Sequence, residues 1–309
     1  MSPLQDAPRF GRVITAMVTP FDERGALDLV AAADLARWLA AHGSDGLVLS
    51  GSTGEGSVLT DDEKVELWRT VADAVTVPVV AGTGSNDTEH SVAMTRRAAE
   101  CGVDGVLVVT PYYNRPSQHG IFEHFRLVAE AAGDVPVMLY DIPIRAGRRI
   151  ETATMLRLAR EVPNIVALKD AAGDPPSTAH LVAQAPAGFE VYSGDDNMTL
   201  PLLAVGAIGV VSVAAHWVGP QFRAVLDAFL AGDLATALAG HAELLDSFDF
   251  ESSAEYPNPL PAKAAMRALG LRVGQCRLPM GEAAPELDVQ AAKILAGLGE
   301  PVVTVPSLA

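Results

Sequence analysis

Lys169 ends the run IVALK, in which every other residue is apolar. Lysine is rarely buried without a partner or a task. One reading is an ion pair with a carboxylate on the same rim. The other is chemical: desolvation lowers an ammonium from its usual pKa of roughly 10.4, leaving a neutral amine that can attack a ketone and form an imine. Tyr140 ends a second apolar run, VMLY, and is expected to neighbour Lys169 across a barrel. A phenol there can carry protons as a carbinolamine forms and dehydrates, or can serve as a packed strand aromatic. A third segment, Gly51-Ser52-Thr53-Gly54-Glu55, sets two hydroxyls between glycines. Such a turn either only reverses the chain or aims consecutive N–H groups at a carboxylate. Combined with Lys169, it points to a 2-oxo acid, its carboxylate on the turn and its ketone at the amine. Glu55 and Asp170 are the candidate general bases.

These residues need a scaffold that brings them together. Apolar, β-branched runs recur at spacings of about 25 to 35 residues, each followed by a segment of helical period. Strands are expected at 13–18, 46–50, 77–81, 105–110, 135–140, 165–169, 190–193 and 209–213. By the two-residue period, Lys169 should share a face with Ile165 and Ala167. Thr60 with Glu63 forms a capping box, Asp87 caps the next helix, and Asp195-Asp196 is expected to cap the helix after the seventh strand. Uninterrupted apolar strands imply a parallel sheet covered on both faces. Eight βα units predict a (β/α)8 TIM barrel over residues 1–233, with a C-terminal helical extension over 234–309. In that extension helices are expected at 234–248, 262–269 and 287–298, the first two joined by the connector ESSAEYPNPLP. The active site then belongs at the C-terminal ends of the strands, where Lys169, Tyr140, the GSTGE turn and Arg145 all fall.

Composition narrows the partners. The 309 residues carry 22 Lys and Arg against 38 Asp and Glu, a net charge of −16. Such a surface repels phosphate backbones and anionic membranes, so neither nucleic acid nor a membrane is an expected partner. A small anionic substrate must be drawn in by a local cluster of Lys, Arg or N–H groups. Two cysteines, Cys101 and Cys276, supply no disulfide framework and no zinc spacing; with no apolar leader, the cytoplasm is the expected compartment. The nearly uncharged stretch 200–219 is long enough to span a bilayer, but Gly206 and Gly209 divide it into a helical piece and a strand. No metal and no cofactor is expected.

The motifs GSTGE, VTPYYNRPSQHG, LYDIPIRAG, ALKDAAGD and YSGDDNMTLPLLAVGAIGVVSV, in that order, resemble the pyruvate-dependent class I aldolases typified by dihydrodipicolinate synthase and N-acetylneuraminate lyase. The similarity runs from Val13 to about Ala296. It implies an imine between Lys169 and pyruvate, with Tyr140 as proton shuttle. Thr53 would hydrogen-bond that phenol, and Ser52 and Thr53 would bind the pyruvate carboxylate. Tyr113 would enter a neighbouring subunit's site in a homotetramer built as a dimer of dimers, and Gly194 and Val211 would line the pocket through backbone groups. TPYYNRPSQ and the arginine after YDIP resemble the synthase branch, in which Arg145 would clamp the carboxylate of L-aspartate 4-semialdehyde on the way to diaminopimelate and lysine. Ser52 stands where synthases usually carry Thr, and Ile144 and Ala146 flank Arg145 where Ser or Gly and Thr or Ser are common. A pyruvate-dependent aldolase or dehydratase for a sugar acid or specialised aldehyde, and a non-catalytic barrel that binds a small acid, stay open at this point. In lysine-sensitive bacterial relatives the effector meets a His and a Glu on the second and third helices. Lys64 and His90 match those positions, so weak feedback by lysine is expected.

Overall fold

The computed structural model describes residues 7–298; the ends of the expected 1–233 and 234–309 units, at 1–6 and 299–309, lie outside them. Eight strands run β1 (Val13–Ala16), β2 (Gly46–Leu49), β3 (Val79–Gly82), β4 (Gly105–Val109), β5 (Val137–Asp141), β6 (Ile165–Asp170), β7 (Glu190–Ser193) and β8 (Gly209–Ser212). Each pairs in parallel with its sequence neighbours, and β8 returns to β1 to close the barrel. Strands β3 and β5 begin two residues later than expected, after Pro78 and Pro136, which have no N–H to give to a ladder.

The connecting helices are α1 (Leu29–Ala41), α2 (Asp61–Ala74), α3 (Thr88–Ala99), α4 (Gln118–Ala132), α5 (Pro143–Ala146), α6 (Thr152–Glu161), α7 (Pro175–Gln184), α8 (Thr199–Ala204) and α9 (Ala215–Leu230). Their starts follow from local chemistry. Asp28, Ser117 and Asp174 cap α1, α4 and α7, Thr60 and Glu63 close a reciprocal capping box on α2, and Asp87 caps α3. The uncharged stretch at 200–219 is divided among α8, β8 and the start of α9. No helix of the described residues is long and apolar enough to cross a membrane.

Alternating strand residues build two layers. Leu47, Val79, Val106, Leu139, Leu168 and Val210 pack outward against the helices. Ile14, Val48, Val80, Met138, Ala167 and Tyr192 fill the barrel, with Phe10 among them. A Cβ on Gly105 would lie 2.7 Å from the Phe10 ring, so that strand needs a glycine to admit the plug. Ile165 departs from the expected face. The β5–β6 register shifts between Val137 and Met138, passing from Ile165 directly to Ala167, so Ile165 joins the outer layer while Ala167 faces inward.

After α9 come α10 (Leu234–Glu243), α11 (Leu245–Phe250), α12 (Leu260–Ala268) and α13 (Pro285–Gly297). The expected single helix at 234–248 is thus two, broken at Leu244. This C-terminal helical region has its own apolar cluster, including Leu260, Ala264, Leu287 and Ala291. The segment after α12 also reaches back over the barrel: Arg277 holds Glu63 at 2.6 and 2.9 Å and the carbonyls of Gly25 and Val58 at 2.8 and 3.1 Å.

Candidate active site

Lys169 and Tyr140 occupy the last turns of β6 and β5 and are register partners on adjacent strands, not across the barrel. The Lys169 Nζ sits 4.3 Å from the centre of the Tyr140 ring, and both residues are 5% exposed. Among the described residues no carboxylate pairs with the amine, so the ion-pair reading of Lys169 has no partner. Burial, with a smaller push from the Arg145 guanidinium, brings the amine down to about 8 against the pull of nearby acids. Burial also raises the Tyr140 phenol to about 12, and Arg145 and a hydrogen bond with Ser52 partly offset it. A substantial neutral fraction of amine near neutrality and a fully protonated phenol therefore stand side by side. Gly194 makes room for this: a Cβ there would lie 2.9 Å from Cγ of Lys169 and 3.1 Å from Cε.

The GSTGE turn leaves β2 with left-handed backbone at Ser50 and Glu55, φ 51° and 53°. It is wound so tightly that a Cβ on Gly56 would fall 1.9 Å from the Ser50 carbonyl oxygen. Among the described residues no acceptor takes the N–H of Ser52 or Thr53, which leaves two adjacent donors for an anion. The two hydroxyls divide differently from expectation. Ser52 is exposed at the barrel mouth and acts on the Tyr140 phenol, holding its pKa down, whereas Thr53 is 3% exposed and its Oγ1 accepts from Nδ2 of Asn258 at 2.9 Å. Thr53 faces the C-terminal segment because the turn folds under it.

A cavity of about 540 Å³ opens from this mouth, walled by Ser52, Tyr140, Arg145, Asn258, Tyr112 and Lys64 among others. The guanidinium of Arg145, exposed on α5, has no hydrogen-bond or ion-pair partner among the described residues. Gly194 and Val211 are not walls of the cavity. Gly194 lies against Lys169, and Val211 belongs to the inner layer that also holds Tyr140 and Ala167. Tyr113 is not brought to this chain's own site: it projects from the β4–α4 loop, 89% exposed, at φ 70°. His90 lines the far wall with its Nε2 2.9 Å from Asp61.

The dihydrodipicolinate synthetase family matches this chain over residues 9–297. The chain belongs to that family. A 4-hydroxy-tetrahydrodipicolinate synthase of Symbiobacterium thermophilum is 50% identical over 294 residues, covering 94% of this chain and 99% of the relative. One of Moorella thermoacetica is 49% identical over 296 residues, at 94% and 98% coverage. Among solved structures, DHDPS from Cyanidioschyzon merolae with lysine bound superposes with a TM-score of 0.91 at 44% identity, covering 94% of this chain and 99% of that one.

In this family member two candidate bases are otherwise engaged. Glu55 is 2.7 Å from the fully buried Lys263 amine and accepts the Arg277 N–H, while Asp170 accepts from Thr178 and from the Ala172 N–H. The Asp196 side chain does not cap α8. It turns to the start of α9, where its Oδ2 accepts the N–H groups of Val213 and Ala214. Sequence reasoning missed Asn258, which lay in a connector read only for its prolines. An asparagine between prolines at the entry to a helix was the one available signal.

Proposed function

We propose that the enzyme condenses pyruvate with L-aspartate 4-semialdehyde to 4-hydroxytetrahydrodipicolinate, as a 4-hydroxy-tetrahydrodipicolinate synthase, through an imine on Lys169. The observation that carries this reading is the buried, unpaired Lys169 amine 4.3 Å from the Tyr140 ring, at the same end of the barrel as a turn with two free N–H donors. Synthases about 50% identical across nearly the whole chain support the same reaction.

Pyruvate binds with its carboxylate on the N–H groups of Ser52 and Thr53, which overcomes the acidic surface locally. The neutral amine adds to the ketone carbon, and Tyr140 supplies the proton with which the carbinolamine hydroxyl leaves as water. The phenolate so formed takes a methyl proton from the iminium, giving an enamine whose terminal carbon attacks the aldehyde of the second substrate. The phenol protonates the new alkoxide. The amino group of the adduct then displaces Lys169 from the imine carbon and closes the ring, so one water is released per turnover and the enzyme amine is regenerated. Arg145, cationic and unpaired at the cavity wall, holds the carboxylate of the semialdehyde.

Tyr113 acts in a neighbouring subunit of a homotetramer, a dimer of dimers; its exposure in left-handed backbone supports this reading, because a large aromatic is held out in solvent at a conformational cost. The reaction opens the diaminopimelate and lysine route in the cytoplasm, a compartment that suits two buried free thiols, Cys101 and Cys276. No observation favours a sugar-acid aldolase or a non-catalytic barrel. In a panel of aldehydes offered with pyruvate, aspartate semialdehyde should give the highest kcat/KM. A neutral sugar aldehyde that outperformed it would reject the synthase reading and leave the imine reading standing.

A further inference from the structure

Three carboxyl groups surround Lys169 that the reaction does not use: Asp195 and Asp196 after β7, and Glu251 just past α11. None of them walls the cavity. Three full negative charges would hold the amine as ammonium, yet burial prevails there. The hydrogen bonding around Asp196 explains how. This residue is 1% exposed, and its Oδ2 is saturated by the Ser212 hydroxyl at 2.9 Å, the Val213 N–H at 3.0 Å and the Ala214 N–H at 2.7 Å. Its Oδ1 is buried and has no conventional donor, and the same is true of Oε2 of Glu251. Asp196 acts on the Glu251 carboxyl through its charge and through side-chain hydrogen bonding, both of which raise it, and the two orphaned oxygens fit a mutual contact. Two carboxyl oxygens can meet in a dry site only with a proton between them.

We propose that Glu251 is held as the neutral acid against Asp196, the two sharing one proton, and that Glu251 is thereby a positioning residue that limits the charge Asp196 presents to Lys169. The inference rests on Lys169 being the imine-forming amine. Burial, followed by the charge of Asp196, pushes the Glu251 carboxyl well above the ordinary range. The other groups facing this cluster come from the loop after β7 and from α5, β5 and α9. Asp195 is itself raised by burial and by Asp196, and Arg145 on α5 opposes the amine's charge. Tyr140 on β5 presents its ring to Nζ. His216 on α9 is neutral, its Nδ1 donating to the Val213 carbonyl at 2.7 Å and its Nε2 accepting from the Val18 N–H at 3.1 Å. One net negative charge, already bound by three donors, then faces Lys169 from the pair, enough to favour an iminium without locking the free amine as ammonium.

The test is the pH dependence of borohydride trapping with pyruvate on the full-length wild-type protein, Glu251→Gln and Glu251→Leu, with adducts located by mass spectrometry. Wild-type trapping at Lys169 should rise with pH as the amine deprotonates. Glu251→Gln keeps a neutral donor for Asp196 and should retain the wild-type midpoint. Glu251→Leu removes the donor, frees the Asp196 charge and should move the midpoint up by about one pH unit, a roughly tenfold loss of trapping at a fixed pH below it. A lowered midpoint in Glu251→Gln would mean that a negative charge had been removed, and would overturn the proposal. So would an unmoved midpoint in a folded Glu251→Leu. Should Glu251→Leu not fold, difference infrared spectra decide: a carboxylic-acid C=O band at neutral pH, present in wild type and lost in Glu251→Gln, supports the shared proton, and its absence from wild type overturns it. Wild-type protein that traps nothing at Lys169 would overturn the imine reading and the tuning role together, a result distinct from trapping that does not shift.

Discussion

Asn258 donates through Nδ2 to Oγ1 of Thr53 at 2.9 Å, joining two residues 205 positions apart. Thr53 sits in the turn after β2, and Asn258 at the entry to α12. The buried Lys263 amine, one turn further along α12, meets Glu55 of the same turn at 2.7 Å and donates to the Gln275 carbonyl at 2.9 Å. The GSTGE turn is therefore held from the barrel side by its own glycines and from the other side by the C-terminal helical region.

Lys263→Met should destabilise the protein strongly. The substitution leaves the Glu55 carboxylate buried without its cation, a change that typically costs about 3–5 kcal/mol. Urea unfolding measures it, and a Glu55→Gln, Lys263→Met double variant should recover part of the loss because no lone charge remains. A Lys263→Met protein as stable as wild type would show that the pair is dispensable.

Tyr140→Phe should lower kcat by roughly 100-fold or more while the fold is kept, since it removes a proton carrier from a packed ring. Tyr113→Phe should behave similarly. Mixing inactive Tyr113→Phe with inactive Lys169→Ala under subunit exchange should restore activity, because some sites then draw both intact residues from different chains. Verified mixed oligomers without recovery would place Tyr113 outside the relay.

Arg145→Ala should reduce kcat/KM for aspartate semialdehyde by on the order of 100-fold, the loss expected for a charge-assisted pair in a semi-enclosed site. Imine trapping with pyruvate alone should survive. A harmless substitution would mean that another group holds the aldehyde's carboxylate.

Acid should destabilise the fold through two buried histidines. His124 and His216 are both depressed by burial from 6.5 to about 4. His216 must stay neutral to accept the Val18 N–H, and Nε2 of His124 is buried without a partner. A depressed group stabilises the native state fully above its unfolded value and loses that contribution as pH falls through the folded one. Stability should therefore decline from pH 6.5 towards pH 4, by on the order of 3 kcal/mol per histidine. His216→Gln should flatten the slope of Tm against pH in that window, and an unchanged slope would assign the acid sensitivity elsewhere.

Lysine should inhibit weakly. Lys64 presents an amine to the cavity, and His90 is engaged with Asp61 at 2.9 Å, so neither supplies the negative charge that attracts an ammonium group. Strong inhibition at sub-millimolar lysine that was lost on substituting Lys64 or His90 would contradict this.

The eight strands, the capped helices and the concentration of Lys169, Tyr140, Arg145 and the GSTGE turn at one rim were legible in the sequence, because hydrophobic period, capping chemistry and chain direction are local properties. A charged residue ending an apolar strand is visible in one dimension. Tertiary structure alone decided which oxygen meets which donor. The β5–β6 register shift sends Ile165 outward although its two-residue spacing from Lys169 predicts otherwise. Asp196 turns to the start of α9, where its Oδ2 accepts the N–H groups of Val213 and Ala214 from 17 and 18 residues away. Thr53 accepts from Asn258 of the C-terminal segment, a partner 205 residues away that no local pattern announces. Asn258, Lys263 and Glu251 reach the site from beyond the barrel, across sequence separations that no local pattern encodes, and their contacts exist only once closure of the barrel brings its mouth beneath the C-terminal helices.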